Sequence, residues 1–187
     1  MKLLFLDTET TGLDPKKHGV VQIAGIIEID GAVKEEFNLH CRPFKGDLIN
    51  QKALDVQKIT LYQVERFPKP EQTFSELKAI FSKYIDPFNK SDKFYMIGQN
   101  TKFDYDFMTE FFVKNNDPYF YSYVRYHLID IVTLTAMAHV SGTMSLENMK
   151  LETVAKHFGI QIDAHNALND IKATREIFYK YAEFFKK

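Results

Sequence analysis

The chain carries one cysteine, Cys41, in 187 residues. A disulfide or a cysteine-built zinc site within one chain is thereby excluded, and Cys41 reads as a small buried hydrophobe on a strand. Tryptophan is absent, and there is no repeat, low-complexity tract or Gly/Ser linker. Charge of one sign is also missing: 24 basic residues meet 25 acidic ones, for a net charge of −1. A general electrostatic grip on nucleic acid or membrane is therefore lacking, and any hold on a polyanion has to be local. Long hydrophobic runs are wanting too. The run that starts at Leu3 is cut at Asp7, too short for a signal-peptide core or a bilayer span. These absences set the expectation of a cytoplasmic protein in a reducing compartment, with no membrane partner.

What is present is ordinary globular material, with 45% hydrophobic and 26% charged residues, long enough for one domain with a full core. The sequence predicts a first strand over residues 2–8 and a longer one over 20–30. Asp30-Gly31 is a hairpin signal, and a third strand follows over 34–41. Short helical stretches are expected between 47 and 69. Thr73-Phe74-Ser75-Glu76 has the capping-box pattern ahead of a helix with Leu77, Ile80, Phe81 and Tyr84 on one face. A short strand over 94–97 ends at Gly98, and Asn100 or Thr101 opens a helix to about 114. Residues 126–129 read as a strand ending at Asp130. Ser145 is the expected cap of a helix that Gly159 closes. The last helix is expected over 166–185. An antiparallel meander followed by alternating strands and helices predicts an α/β fold, a mixed five-stranded sheet flanked by helices, with its site at strand C-terminal edges.

Asp7-Thr8-Glu9 ends the apolar run Leu3-Leu4-Phe5-Leu6. Side chains two apart on a strand share a face, so Asp7 and Glu9 leave the sheet side by side. Two adjacent carboxylates are costly to desolvate without a cation between them. The pair reads either as a divalent-metal site or as a solvated strand end. Asp104, in the first turn after Gly98-Gln99-Asn100-Thr101, reads either as helix-dipole compensation or as a further site acid. Asp106 is an equally placed decoy. With Phe103, Phe107 and Phe111 as the core stripe, however, Asp104 adjoins the buried face. Asp170 occupies the first turn of the last helix. His165 lies about 140° from it in helical projection, so the two converge only if His165 sits on the preceding loop.

Three segments in order resemble the motifs of the DEDDh 3′–5′ exonucleases, the family typified by the proofreading subunit of bacterial DNA polymerase III. They are Phe5-Leu6-Asp7-Thr8-Glu9-Thr10-Thr11-Gly12-Leu13, residues 98–104, and His165 with Asp170 five positions on. Asn166 stands where the tyrosine subclass has Tyr, which favours the histidine subclass. Asp55, Asp130 and Ser145-Leu146 are lesser echoes. The resemblance implies a ribonuclease H-like fold and one exonuclease domain over 1–187. It implies metal ligation by Asp7, Glu9, Asp104 and Asp170, with His165 as general base. By the same analogy Thr8, Thr10, Thr11, Gly12, Leu13 and Asn100 line the pocket for the terminal nucleotide. Two departures stand out: Lys58 where the family often has Gly, and Gln99 where His is frequent. Lys58 reads alternatively as a phosphate contact.

The chemistry that such residues run is phosphodiester hydrolysis. Two divalent cations, Mg²⁺ or Mn²⁺, suit oxygen ligands, and His165, with an ordinary pKa of about 6.5, accepts a water proton near neutrality. The expected function is release of nucleoside 5′-monophosphates from single-stranded DNA 3′ ends. A ribonuclease of the RNase T or oligoribonuclease kind is the alternative, and a non-catalytic nucleic-acid-binding domain is a further one. A DNA polymerase is a candidate partner. No polymerase-binding tail follows the last helix, so the expectations extend to a free-standing nuclease, a phage or repair enzyme, or the trimmed catalytic part of a longer protein.

Overall fold

A computed structural model describes residues 1–162 and 167–184 of the chain. Its centre is β1 (Lys2–Thr10), and the five strands lie in the order β3-β2-β1-β4-β5. β2 (Val20–Ile29) runs antiparallel to β1, from Lys2 opposite Ile29 to Glu9 opposite Gln22. β3 (Ala32–His40) runs antiparallel to β2. The hairpin between them turns at Asp30 and Gly31, both with positive φ (52° and 82°), the backbone that a two-residue type I′ turn requires. β4 (Tyr95–Gly98) is parallel to β1, and β5 (Ile129–Asp130) is parallel to β4. The expected mixed five-stranded sheet is what the chain builds.

Leu3, Leu4, Phe5 and Leu6 are all buried because both sheet faces are covered. Leu4 and Leu6 join the core under α3 (Pro70–Ser82) and α4 (Thr101–Lys114). Leu3 and Phe5 join the opposite core with α5 (Ile131–Val140), α6 (Leu151–His157) and α7 (Ala167–Phe184). The short helices α1 (Gln51–Gln57) and α2 (Leu61–Val64) close a small third cluster around Leu54, Val64 and Val21. Among the described residues, no helix is long and apolar enough to cross a membrane.

Three expectations need correction. The helix predicted to start at Thr73 begins three residues earlier, with Pro70 in its first turn, where the fixed φ of proline suits a helix start. Thr73 is inside it, and its hydroxyl donates to the His40 carbonyl (2.8 Å). Ser145 caps nothing; α6 starts at Leu151, and the Asn148 carboxamide oxygen accepts from the Lys150 amide (2.9 Å) and the Thr153 hydroxyl (2.8 Å). The strand expected over 126–129 is confined to Ile129–Asp130, and Tyr126 faces solvent. The last helix matches its expected span within the described residues, and Gly159 takes its helix-ending role with φ of 71°.

Candidate active site

Asp7 and Glu9 emerge at the C-terminal end of β1, on the face covered by α7. Asp170, in the first turn of α7, meets them there. Each of the three offers a carboxylate oxygen, and these oxygens lie within 4.8 Å of one another. Burial and mutual repulsion act in the same direction on them. Asp7 is held well above the ordinary carboxylate range by burial first, then by the charges of Asp104, Glu9 and Asp170. Glu9 is pushed up to about 7 by burial and by Asp170. Three crowded oxygen donors with little solvent are what a hard divalent cation accepts as ligands, so the site fits the metal that the motif predicts.

Asp104 approaches from the other face of the sheet and is only 2% exposed. Thr8 points to that face, since it alternates with Asp7 and Glu9. Its backbone amide (2.9 Å) and its hydroxyl (2.7 Å) both donate to one Asp104 carboxylate oxygen. Burial pushes Asp104 up to about 7, against the lowering effect of these bonds, and the Glu9 charge adds to the rise. Asp106, the decoy, is turned outward and paired with Lys102.

The approach of α4 is fixed by a pinned loop. Asn100, left-handed at φ 62°, donates its amide to the Asp130 carboxylate (2.9 Å), which also caps α5 by accepting from the Val132 amide (2.9 Å). Gln99 donates its carboxamide to the Met149 carbonyl (2.8 Å), and the Thr101 hydroxyl donates to the Ile129 carbonyl (2.8 Å). A β-carbon at Gly98 would lie 3.1 Å from the Leu6 carbonyl, a tight contact that glycine avoids where β4 turns beside β1.

The threonines of the expected nucleotide pocket are also bonded within the protein. The Thr8 hydroxyl is given to Asp104, the Thr10 hydroxyl to the Gly12 carbonyl (2.7 Å), and the Thr11 hydroxyl to the Leu48 carbonyl (2.6 Å). These three hydroxyl protons hold the frame of the site, and each oxygen keeps the capacity to accept. Gly12 lies against the His18 ring, which a β-carbon would strike, and Leu13 stands 83% exposed beside it. His165 lies outside the described residues. Lys58 is left-handed (φ 57°) at the end of α1, a backbone that glycine adopts without strain.

Two residues near the site went unremarked in the sequence. Gln57 donates its carboxamide to the Thr10 carbonyl (2.7 Å), while its own buried oxygen has no partner among the described residues. Gln22 pairs with Glu9 across β1 and β2 and donates to the Asn38 side chain (2.7 Å). A lone glutamine inside the apolar run of β2 was the available signal.

A carboxylate cluster at the end of the central strand of a mixed sheet is a candidate centre for metal-assisted hydrolysis. A family model described as exonuclease (RNase T) matches residues 4–178, and the chain belongs to that family. Ribonuclease T from Buchnera aphidicola subsp. Baizongia pistaciae is 30% identical, over 97% of this chain and 83% of the relative. The PolC-type DNA polymerase III of Thermotoga petrophila is 22% identical, over 97% of this chain but only 12% of the polymerase. Escherichia coli exonuclease I in complex with a dT13 oligonucleotide superposes with a TM-score of 0.75 at 21% identity, covering 97% of this chain and 40% of that one. A further exonuclease I structure reaches 0.78 at 22% identity, over 98% and 41%. The ribonuclease H-like fold expected from the motifs is the fold of these neighbours. The chain is an exonuclease of a family that depends on divalent metal ions.

Proposed function

We propose that the protein is a 3′–5′ exonuclease that releases nucleoside 5′-monophosphates from single-stranded DNA. The observation that carries this reading is the convergence of Asp7, Glu9 and Asp170 oxygens within 4.8 Å. Asp104 is braced nearby on Thr8. These four carboxylates would hold two divalent cations, Mg²⁺ or Mn²⁺. When bound, the cations supply Lewis-acid stabilisation of the charge that develops on the phosphoryl and leaving oxygens.

The protein's own groups do the rest. His165 takes a proton from the attacking water as general base. The water oxygen bonds to phosphorus and the P–O3′ bond breaks. The electron pair leaves on the 3′ oxygen, which is protonated to give a shortened strand with a free 3′ hydroxyl. Thr8 keeps one Asp104 oxygen occupied, so that carboxylate cannot swing. Thr8, Thr10, Thr11, Gly12, Leu13 and Asn100 are the candidates for contact with the terminal nucleotide.

A second reading takes RNA as the substrate. It is favoured by the ribonuclease T relative, which this chain matches over most of its length, whereas it spans a small part of the PolC-type polymerases. Rates of nucleotide release from matched single-stranded DNA and RNA, with Mg²⁺ or Mn²⁺ and with chelator, test both. The proposal expects release that chelator abolishes and that is faster on DNA. Faster release from RNA selects the second reading, and turnover that survives chelation contradicts the metal site.

A further inference from the structure

A cavity of about 440 Å³ opens between α3, the 83–94 loop and the 3₁₀ turn Phe120–Ser122. Its walls carry four aromatic rings and three lysines. Phe88 is 94% exposed, so it serves no core. Tyr119 and Tyr121 meet edge to face at 5.9 Å and are both exposed. The Lys93 ammonium donates to the Tyr121 carbonyl (2.6 Å) and lies 5.6 Å from the centroid of the Tyr121 ring. Lys90 is exposed at the rim. The one acid in the wall, Asp117, is already neutralised by Lys78 at 2.6 Å. In a chain of net charge −1, this is a local concentration of cations around open rings.

The cavity is remote from the carboxylates. Lys93 precedes Phe94, which bridges to Val124 one residue below the pairing of Leu3 with Tyr95. Asp7 is therefore roughly 15–20 Å away along the strands, at about 3.3 Å per residue. The two places are joined by the β5 edge of the sheet. From Tyr123 in the cavity wall the chain passes through Arg125, Tyr126 and His127 to Asp130, which holds the Asn100 amide beside the site. Tyr126 is 81% exposed, with its ring 3.7 Å from that of His127. Arg125 and the Tyr126 and His127 rings thus mark the stretch of this edge next to the cavity.

Interleaved rings and ammonium groups are the composition that holds an unpaired strand, with bases stacking on the rings and phosphates pairing with the lysines. We propose that this cavity is a second binding site for single-stranded nucleic acid, holding nucleotides several positions 5′ of the end being hydrolysed. The polarity of the strand rests on the exonuclease reading above; binding at the cavity does not.

The test is fluorescence anisotropy with labelled oligothymidylate and oligouridylate dodecamers in chelator, on wild type and on a Phe88→Ala, Lys90→Glu double variant. Both residues are exposed and neither belongs to the carboxylate centre. The expected result is at least a tenfold weaker hold on the dodecamers and a shallower salt dependence, since one phosphate contact is lost. Hydrolysis of a trinucleotide with Mn²⁺ should be unchanged, because it cannot reach the cavity. Unchanged dodecamer affinity overturns the proposal. So does displacement of the dodecamer by a polyglutamate peptide at equal concentration, which would make the cavity a site for acidic polypeptides. Weakened dodecamer binding in a protein that releases no nucleotide would uphold the cavity and overturn only the exonuclease reading.

Discussion

Two groups of buried acid occupy the two ends of the same pair of strands, and the chain treats them differently. At one end Glu28 of β2 is 1% exposed. Its carboxylate accepts from the Arg175 Nε (2.9 Å), lies 2.8 Å from a second Arg175 nitrogen, and accepts from the Tyr179 hydroxyl. At the other end Asp7, Glu9 and Asp170 face one another, and the charge of Asp104 adds to the repulsion on Asp7. Helix α7 supplies both answers: a cation and a phenol to Glu28, and one more carboxylate to the pair on β1. The first arrangement is complete within the protein. The second is the one for which we propose an added cation, because clustered carboxylates out of water repel and resist ionisation.

The largest effect should come from breaking the second arrangement. Asp7→Ala or Asp170→Ala is expected to cut nucleotide release by well over about a hundredfold, the scale already reached by losing residues that merely support metal ligands. The fold should persist, as an unchanged circular dichroism spectrum of the metal-free protein would establish. Breaking the first arrangement should do the reverse. Glu28→Ala leaves Arg175 without its carboxylate, at a cost of about 3 kcal/mol. The melting temperature is then expected to fall by roughly 6–12 °C, with the residual folded enzyme still able to bind metal.

The comparison can be sharpened by pH. Glu9 and Asp104 titrate near 7 in the folded, metal-free protein, against ordinary values of 4.5 and 3.8. Between about pH 4 and pH 7 the folded state therefore holds protons that the unfolded chain has released. By linkage, stability falls as pH rises through that window and is greatest below it. Thermal unfolding of metal-free protein is expected to show a melting temperature lower at pH 8 than at pH 5 by about 5 °C or more. Asp7→Asn should flatten that slope. A smaller effect is expected at Lys58. Glycine there relieves a left-handed backbone and should raise stability by up to about 1 kcal/mol, visible as a shift in the denaturant midpoint with activity retained.

Much of this was legible in the sequence because it is local. The apolar run of β1, the alternation that pairs Asp7 with Glu9, and Asp30-Gly31 each state a backbone geometry within a few residues. Asp104 could be separated from Asp106 by the helical spacing of Phe103, Phe107 and Phe111. Helix starts were less legible: Pro70 outcompeted the capping pattern at Thr73, and Ser145 was followed by an irregular stretch. Glu28 was not legible at all, because its partners lie 147 and 151 positions away. The same holds for Thr8. Its neighbours suggest a ligand contact, but its hydroxyl meets Asp104, 96 residues on, only once α4 has packed on the sheet.

The central claim is that the acids at the end of β1 are assembled for a cation and not for each other. Thermal unfolding at pH 8 with and without Mn²⁺, on wild type and Glu9→Gln, tests it most directly. The account predicts that Mn²⁺ raises the wild-type melting temperature by several degrees, as selective binding to the folded state requires, and raises that of Glu9→Gln much less. A wild-type melting temperature indifferent to millimolar Mn²⁺ would contradict it.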